Sequence, residues 1–178
     1  MDGTIKAAAM VLAAISLQMA SGHAATVSLK EIREAGVVIQ KWDTSCAAAA
    51  LATVFTYSFN DPASEREVAG GLLRQTEPLK VRHRGGFSMR DMKRYAHERG
   101  YRATGFKGLS LAEIRFFDAP IVPIHTHGYN HYVVLKGMTR DGEVHLADPA
   151  FGNRTMSRKK FEAVWLDGIA FVMTEPMQ

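Results

Sequence analysis

The 178-residue chain holds a single cysteine, Cys46, so no disulfide within the chain can staple the fold. Prolines number only six, and no Pro/Ser-rich linker, internal repeat or low-complexity tract marks a second domain. No apolar run reaches the roughly twenty residues that a membrane-spanning helix requires; the stretch from Ala7 to Ala20 breaks at Ser21, Gly22 and His23. The Gly85-Gly86 pair lacks the following Lys and the strand-loop-helix setting of a phosphate loop, which leaves it as a flexible connection. Basic residues exceed acidic ones to give a net charge of +4. They are scattered without interleaved aromatics, so they read as solvated faces and no nucleic-acid partner is expected.

Hydrophobic residues make up 47% of the chain and charged residues 22%, a balance that fits one globular domain. The apolar run after Lys6 ends in small residues and reads as a signal peptide over residues 1–24, cut after Ala24. Asp2 offsets Lys6, so the alternative is an uncleaved amino-terminal anchor, the one route by which this chain would meet a membrane. Either way residues 25–178 form an exported domain, expected in the periplasm or at the cell envelope and long enough to bury a core unaided. A lone thiol in an oxidising compartment asks for a reason, and a nucleophile is one.

The organisation changes midway. Residues 28–100 carry helical patterns: one helix from Cys46 towards Tyr57, capped by Asp43 or Thr44, a second carrying Val68, Leu72 and Leu73, and a third from Ser88 to Gly100. Beyond Tyr101 come short β-branched and aromatic runs. After a short helix over 111–117, strands are expected at Ile121–His125, His131–Lys136, Glu143–Ala147 and Ile169–Thr174, with turns at Thr126–Asn130 and Arg140-Asp141-Gly142, and a helix over Ser157–Trp165. Helices first and an antiparallel sheet later make the fold class α+β.

A thiol in the first turn of a helix sits where unsatisfied N–H groups and the helix dipole favour negative charge, so Cys46 is placed to ionise and attack. The plain alternative is a small buried residue in an Ala-rich helix. Thiol catalysis further needs a base, a group to orient that base, and a donor aimed at the tetrahedral oxygen. His131 begins a strand, Asp148 ends the next strand, and Gln40 precedes Cys46 by six residues. A hairpin would bring His131 and Asp148 to the same edge of the sheet, within reach of the helix start.

Three ordered segments, Gln40-Lys41-Trp42-Asp43-Thr44-Ser45-Cys46, Asn130-His131-Tyr132-Val133-Val134-Leu135 and Leu146-Ala147-Asp148-Pro149, with Gly152 and Phe161 following, resemble the C39 peptidases over roughly Val37 to Trp165. The resemblance implies a papain-like fold, Cys46 as nucleophile, His131 as base, Asp148 as orienting residue, and the Gln40 side chain with the Cys46 N–H as oxyanion hole. It implies no cofactor and no metal. Members of that family typically cut after a double glycine that ends a leader peptide; Ala47 departs mildly from the family's usual residue after the nucleophile and is expected to narrow the groove. No ATP-binding motif is present, so the resemblance is to stand-alone exported forms that serve export systems, including those for functional amyloid. The expected partners are an exported polypeptide substrate and an export-system component.

Other readings attach to the same residues. His125, His127 and His131 invite a metal, but a turn separates His131 from the other two, and Cys46 with Asp148 explains His131 better. Trp42 and Trp165 read as core or groove walls. The second class of function is a papain-like module that grips a peptide without cutting it, and a third uses the same groups for acyl transfer to an amine.

Overall fold

Serine followed three residues later by an acid occurs five times along this chain, and four of the occurrences start a helix. In the computed structural model, which describes residues 27–176, capping boxes at Ser28/Glu31, Ser64/Glu67, Ser88/Asp91 and Ser110/Glu113 open α1 (Leu29–Glu34), α3 (Glu65–Gln75), α5 (Met89–Glu98) and α6 (Leu111–Ile114). In each, the hydroxyl and the carboxylate satisfy two N–H groups that a helix start leaves without partners. The signal segment expected over residues 1–24 lies outside the described residues. Among those described, no helix is long and apolar enough to cross a membrane.

The helix α2 (Cys46–Ser58) is different, being buried from Cys46 through Phe55. Four successive alanines let neighbouring elements close on every side of it. The other helices are α4 (Pro78–Arg84) and α7 (Arg158–Val164), and six strands form one antiparallel sheet: β1 (Tyr101–Phe106), β2 (Ile121–Thr126), β3 (Tyr129–Met138), β4 (Glu143–Asp148), β5 (Gly152–Ser157) and β6 (Ala170–Pro176). Their order is β1-β6-β2-β3-β4-β5.

Alternation along the strands divides the interior into two layers. One face sends Ile121, Val134, Ala147 and Phe171 against Leu51, Phe55, Leu72 and Met92 of the helices. The other sends Val122, Ile124, Val133 and Leu146 against Leu111, Ile114 and Phe161. The expected α+β architecture is therefore present.

Several details differ from expectation. The sheet has a fifth strand pairing, β4 with β5, that Gly152–Ser157 does not announce because its polar sequence shows no alternation. A helix, α4, stands where only a basic solvated stretch was expected; Pro78 at its first turn and Gly85 in the left-handed conformation bound it. His131 is the third residue of β3 rather than its first. The preceding turn is just His127-Gly128, both with positive φ, as a two-residue hairpin loop demands. With β5 in place, β3 and β4 run through the interior of the sheet, so His131 and Asp148 share one end of it rather than an edge.

Candidate active site

The loop from Gln40 to Ser45 leads into α2 and delivers Cys46 as the first helical residue, only 7% exposed. First-turn N–H groups of a helix have no partner within it, so they remain available as donors beside the thiol. The helix is capped by Ser45, not Asp43 or Thr44, and the Ser45 hydroxyl makes no cap bond. Its one proton is shared instead between the Trp42 carbonyl at 2.7 Å and Glu65. Ala47 is fully buried in the core and does not line the groove it was expected to narrow.

β3 and β4 pair with Val134 opposite Ala147, which brings His131 and Asp148 together. Nε2 of His131 donates to Oδ1 of Asp148 at 2.7 Å, since a carboxylate can only accept. That fixes the tautomer and leaves Nδ1 without a carboxylate partner, and the nearby Cys46 side chain is the second group that favours a charged ring. Burial opposes a charge on His131, but the hydrogen bond to Asp148 and then the interaction with Cys46 prevail and push the ring up to about 9. Asp148 is fully buried. Burial alone would favour its neutral form, yet the His131 hydrogen bond, the positive ring and Arg154 together hold it below the usual carboxylate range.

Gln40 reaches the same place from the other side. Its backbone N–H donates to the Pro149 carbonyl at 2.8 Å, tying the loop before Cys46 to the turn after Asp148. Its side-chain Nε2 donates to the Trp42 carbonyl at 3.0 Å; because that carbonyl only accepts, the amide cannot be flipped, and a second N–H of Nε2 stays uncommitted. Two clefts meet at Cys46. One, about 320 Å³, is walled by Phe87, Met89, Pro123, Tyr132, Leu166 and Ile169; the other, about 700 Å³, is more polar and includes Gln40, Asp43, His125, Tyr129 and Asn130. Burial and then the charge of Cys46 push the Tyr132 phenol up to about 12, so it is a neutral wall.

The peptidase C39 family profile matches residues 34–177. The chain belongs to the peptidase C39 family. It is 40% identical over 147 residues to the probable functional amyloid protease FapD of Pseudomonas aeruginosa and 39% identical to that of Pseudomonas fluorescens. Each match covers 82% of this chain and 63% of the relative, so the chain spans less than two thirds of their length. Among solved structures, a double glycine motif protease from an AMS/PCAT transporter, in complex with the leader peptide, superposes with a TM-score of 0.65 at 22% identity, covering 79% of this chain and 91% of that one. The peptidase domain of Streptococcus ComA, a bifunctional ABC transporter, gives 0.64 at 20%, covering 79% and 98%. The expected papain-like α+β fold of C39 peptidase domains is thus the fold observed.

Within this C39 domain Gln40, Cys46 and His131 line the two clefts that meet at Cys46, Asp148 lies buried against His131, His125 lines the polar cleft and His127 lines neither. His125 bonds Asn130 at 2.9 Å and His127 bonds Thr126 at 3.0 Å, both at the surface. Among the described residues no three His, Cys, Asp or Glu stand close enough to hold a metal. Trp42, read as core or groove wall, is 48% exposed and serves the site through its carbonyl. Two charged residues at the site had no sequence signal. Arg154, placed opposite Leu146 by the β4–β5 register, sets Nη2 2.7 Å from the second oxygen of Asp148, an ion pair whose angles fall short of a hydrogen bond. Glu65, from α3, lies buried behind the Gln40–Cys46 loop.

Proposed function

We propose that this chain is an exported cysteine peptidase that cuts a peptide bond in a secreted or exported polypeptide, acting in the periplasm as an accessory of an export system such as that for functional amyloid. The observation that carries the reading is the buried His131 ring, bonded to Asp148 and lining the same cleft as Cys46 at the start of its helix. Export is supported by the apolar run after Lys6, with residues 1–24 as signal peptide, and the role in amyloid secretion by the likeness to the FapD proteases.

In this reading the Cys46 thiolate attacks the scissile carbonyl while the Gln40 amide and the Cys46 N–H receive the developing oxyanion. His131, charged over the physiological range, gives its Nδ1 proton to the leaving amine and then takes one from water to release the acyl-enzyme. Asp148 keeps Nε2 protonated throughout, so the ring can exchange protons only on the Cys46 side. A substrate cut after Gly-Gly is the family-based expectation.

The test is iodoacetamide alkylation of Cys46 at pH 6, where a free thiol of pKa about 8.5 is almost wholly protonated. Wild type is expected to label at least tenfold faster than His131→Ala, and a peptide ending its leader in Gly-Gly is expected to be cut by wild type and not by Cys46→Ser. Slow labelling that ignores His131 would sink the catalytic reading and leave the peptide-gripping module in its place.

A further inference from the structure

Among the described residues, two buried carboxylates lie outside the Cys46–His131–Asp148 group, Asp91 and Glu65. Asp91 is accounted for by its capping of α5 through Ser88 and its ion pair with Arg84 at 2.9 Å. Glu65 is not. It is the first residue of α3, a position where a carboxylate ordinarily faces water and gains from the helix dipole. Here it is turned inward and 4% exposed.

Its Oε1 accepts from the Lys41 N–H at 2.8 Å and from the Ser45 hydroxyl. Its Oε2 is buried without a partner, a costly arrangement for a carboxylate oxygen. Lys41 follows Gln40 and Ser45 precedes Cys46, so a single oxygen grips both ends of the segment that carries the two oxyanion donors. The network continues at the Trp42 carbonyl, which accepts from the Ser45 N–H at 3.2 Å and from Gln40 Nε2 and competes with Glu65 for the one Ser45 hydroxyl proton. Removing Glu65 therefore releases the Lys41 N–H and leaves Ser45 held only by the Trp42 carbonyl, so that Lys41, Trp42 and the Gln40 amide are no longer tied to α3.

We propose that Glu65 is a positioning residue for the oxyanion hole, holding the Gln40 amide and the Cys46 N–H at a fixed separation by clamping Lys41 and Ser45. The inference rests on the reading of Gln40 and Cys46 as the oxyanion donors. A displacement of even about 1 Å in such donors is enough to cost on the order of a hundredfold in rate.

Two probes of the same thiol separate this role from a general loosening of the fold. With p-nitrophenyl acetate, an S–acyl bond forms, the ester C–O bond breaks and p-nitrophenolate leaves, through a tetrahedral oxyanion. With iodoacetamide, an S–C bond forms as C–I breaks and iodide leaves, and no oxyanion arises. The ratio of the Cys46-dependent acylation rate to the alkylation rate therefore reports on the oxyanion hole and cancels changes in the nucleophile.

In the full chain, Gln40→Ala sets the benchmark, and loss of one oxyanion donor is worth roughly 10²–10³ in rate. Glu65→Ala is expected to lower the ratio at least tenfold. Glu65→Gln is expected to stay within threefold of wild type, because both bonds fall on Oε1 and the amide nitrogen replaces the unpartnered oxygen. Should Glu65→Ala fail to fold, Ser45→Ala, which cuts one arm of the clamp, is expected to lower the ratio at least threefold. An unchanged ratio in Glu65→Ala, acylation and alkylation falling in parallel, or no rescue by Gln overturns the positioning role. A ratio indifferent to Gln40→Ala overturns the oxyanion reading itself, and the role of Glu65 with it.

Discussion

Replacing Asp148 by Asn isolates what the buried negative charge does for His131. The asparagine keeps an oxygen within reach of Nε2–H, so shape and one hydrogen bond survive while the charge goes. In the wild type His131 stands at about 9 against an ordinary value of 6.5, a preference for the charged ring of about 3 kcal/mol. Asp148 is the first of the supports that outweigh burial and Cys46 the second, so Asp148→Asn should lower the His131 midpoint by at least one unit and by more than Cys46→Ala does. Ring-nitrogen NMR titration of the histidines, with the His131 signal assigned by its loss in His131→Ala, reads this directly. Stability gives the linked measurement: a raised folded value contributes fully below about 6.5 and is lost as pH rises through about 9. Wild-type stability in urea should therefore decline across that window, and the decline should be smaller in Asp148→Asn. A wild-type His131 that titrates near 6.5 with the surface histidines, or a midpoint unmoved by Asp148→Asn, refutes the ion-pair account of the site.

Arg154→Met should cost about 2 kcal/mol by urea unfolding at pH 7, below the range of roughly 3–5 kcal/mol for wholly buried pairs because Arg154 is 23% exposed. Asp148 is held below its usual range, so this stabilisation is present above about pH 4 and lost as pH falls through the folded value, and the gap between variant and wild type should shrink in acid; a gap constant down to pH 2 would show that Arg154 acts only by packing. Gly71→Ala should destabilise by about 1–3 kcal/mol, because its Cβ would lie 2.0 Å from a ring carbon of Tyr95, itself buried between α3 and α5; unchanged thermal unfolding would mean that the ring can move aside.

The order of Gln40, Cys46, His131 and Asp148 was legible because each stands at a recognisable boundary: before a helix, at its first turn, past a Gly turn, and before a proline. Three of the four helices with capping boxes, α3, α5 and α6, were legible for the same reason, since a cap is a local event, whereas α1 was not singled out. The Ser45 cap was misread because its hydroxyl answers to Glu65, twenty residues away, rather than to its own helix. Arg154 and Glu65 carry no local signal at all: one reaches Asp148 only through the β4–β5 register, the other reaches the Gln40 loop only because α3 packs on α2. Strand β5 hid for a related reason, as its residues are polar and its pairing partner, not its own pattern, makes it a strand.

The parts of the site are held by elements of unequal rigidity, and that decides where it can fail. Cys46 stands on a helix sunk in the core, and His131 and Asp148 on interior strands, so their separation is set by packing that a surface change does not reach. Gln40 has no such support of its own. Its loop is fastened by the Pro149 carbonyl at one point and by Glu65 behind it, while Trp42 beside it is half exposed. Cys46 and His131 should therefore tolerate mild denaturant that already disturbs the Gln40 amide. In sub-denaturing urea, alkylation of Cys46 at pH 6 should persist at concentrations where acylation by p-nitrophenyl acetate has fallen. If the two rates instead decline together along the global unfolding curve, the loop is as firmly held as the core, and the division of the site into a rigid and a clamped half is wrong.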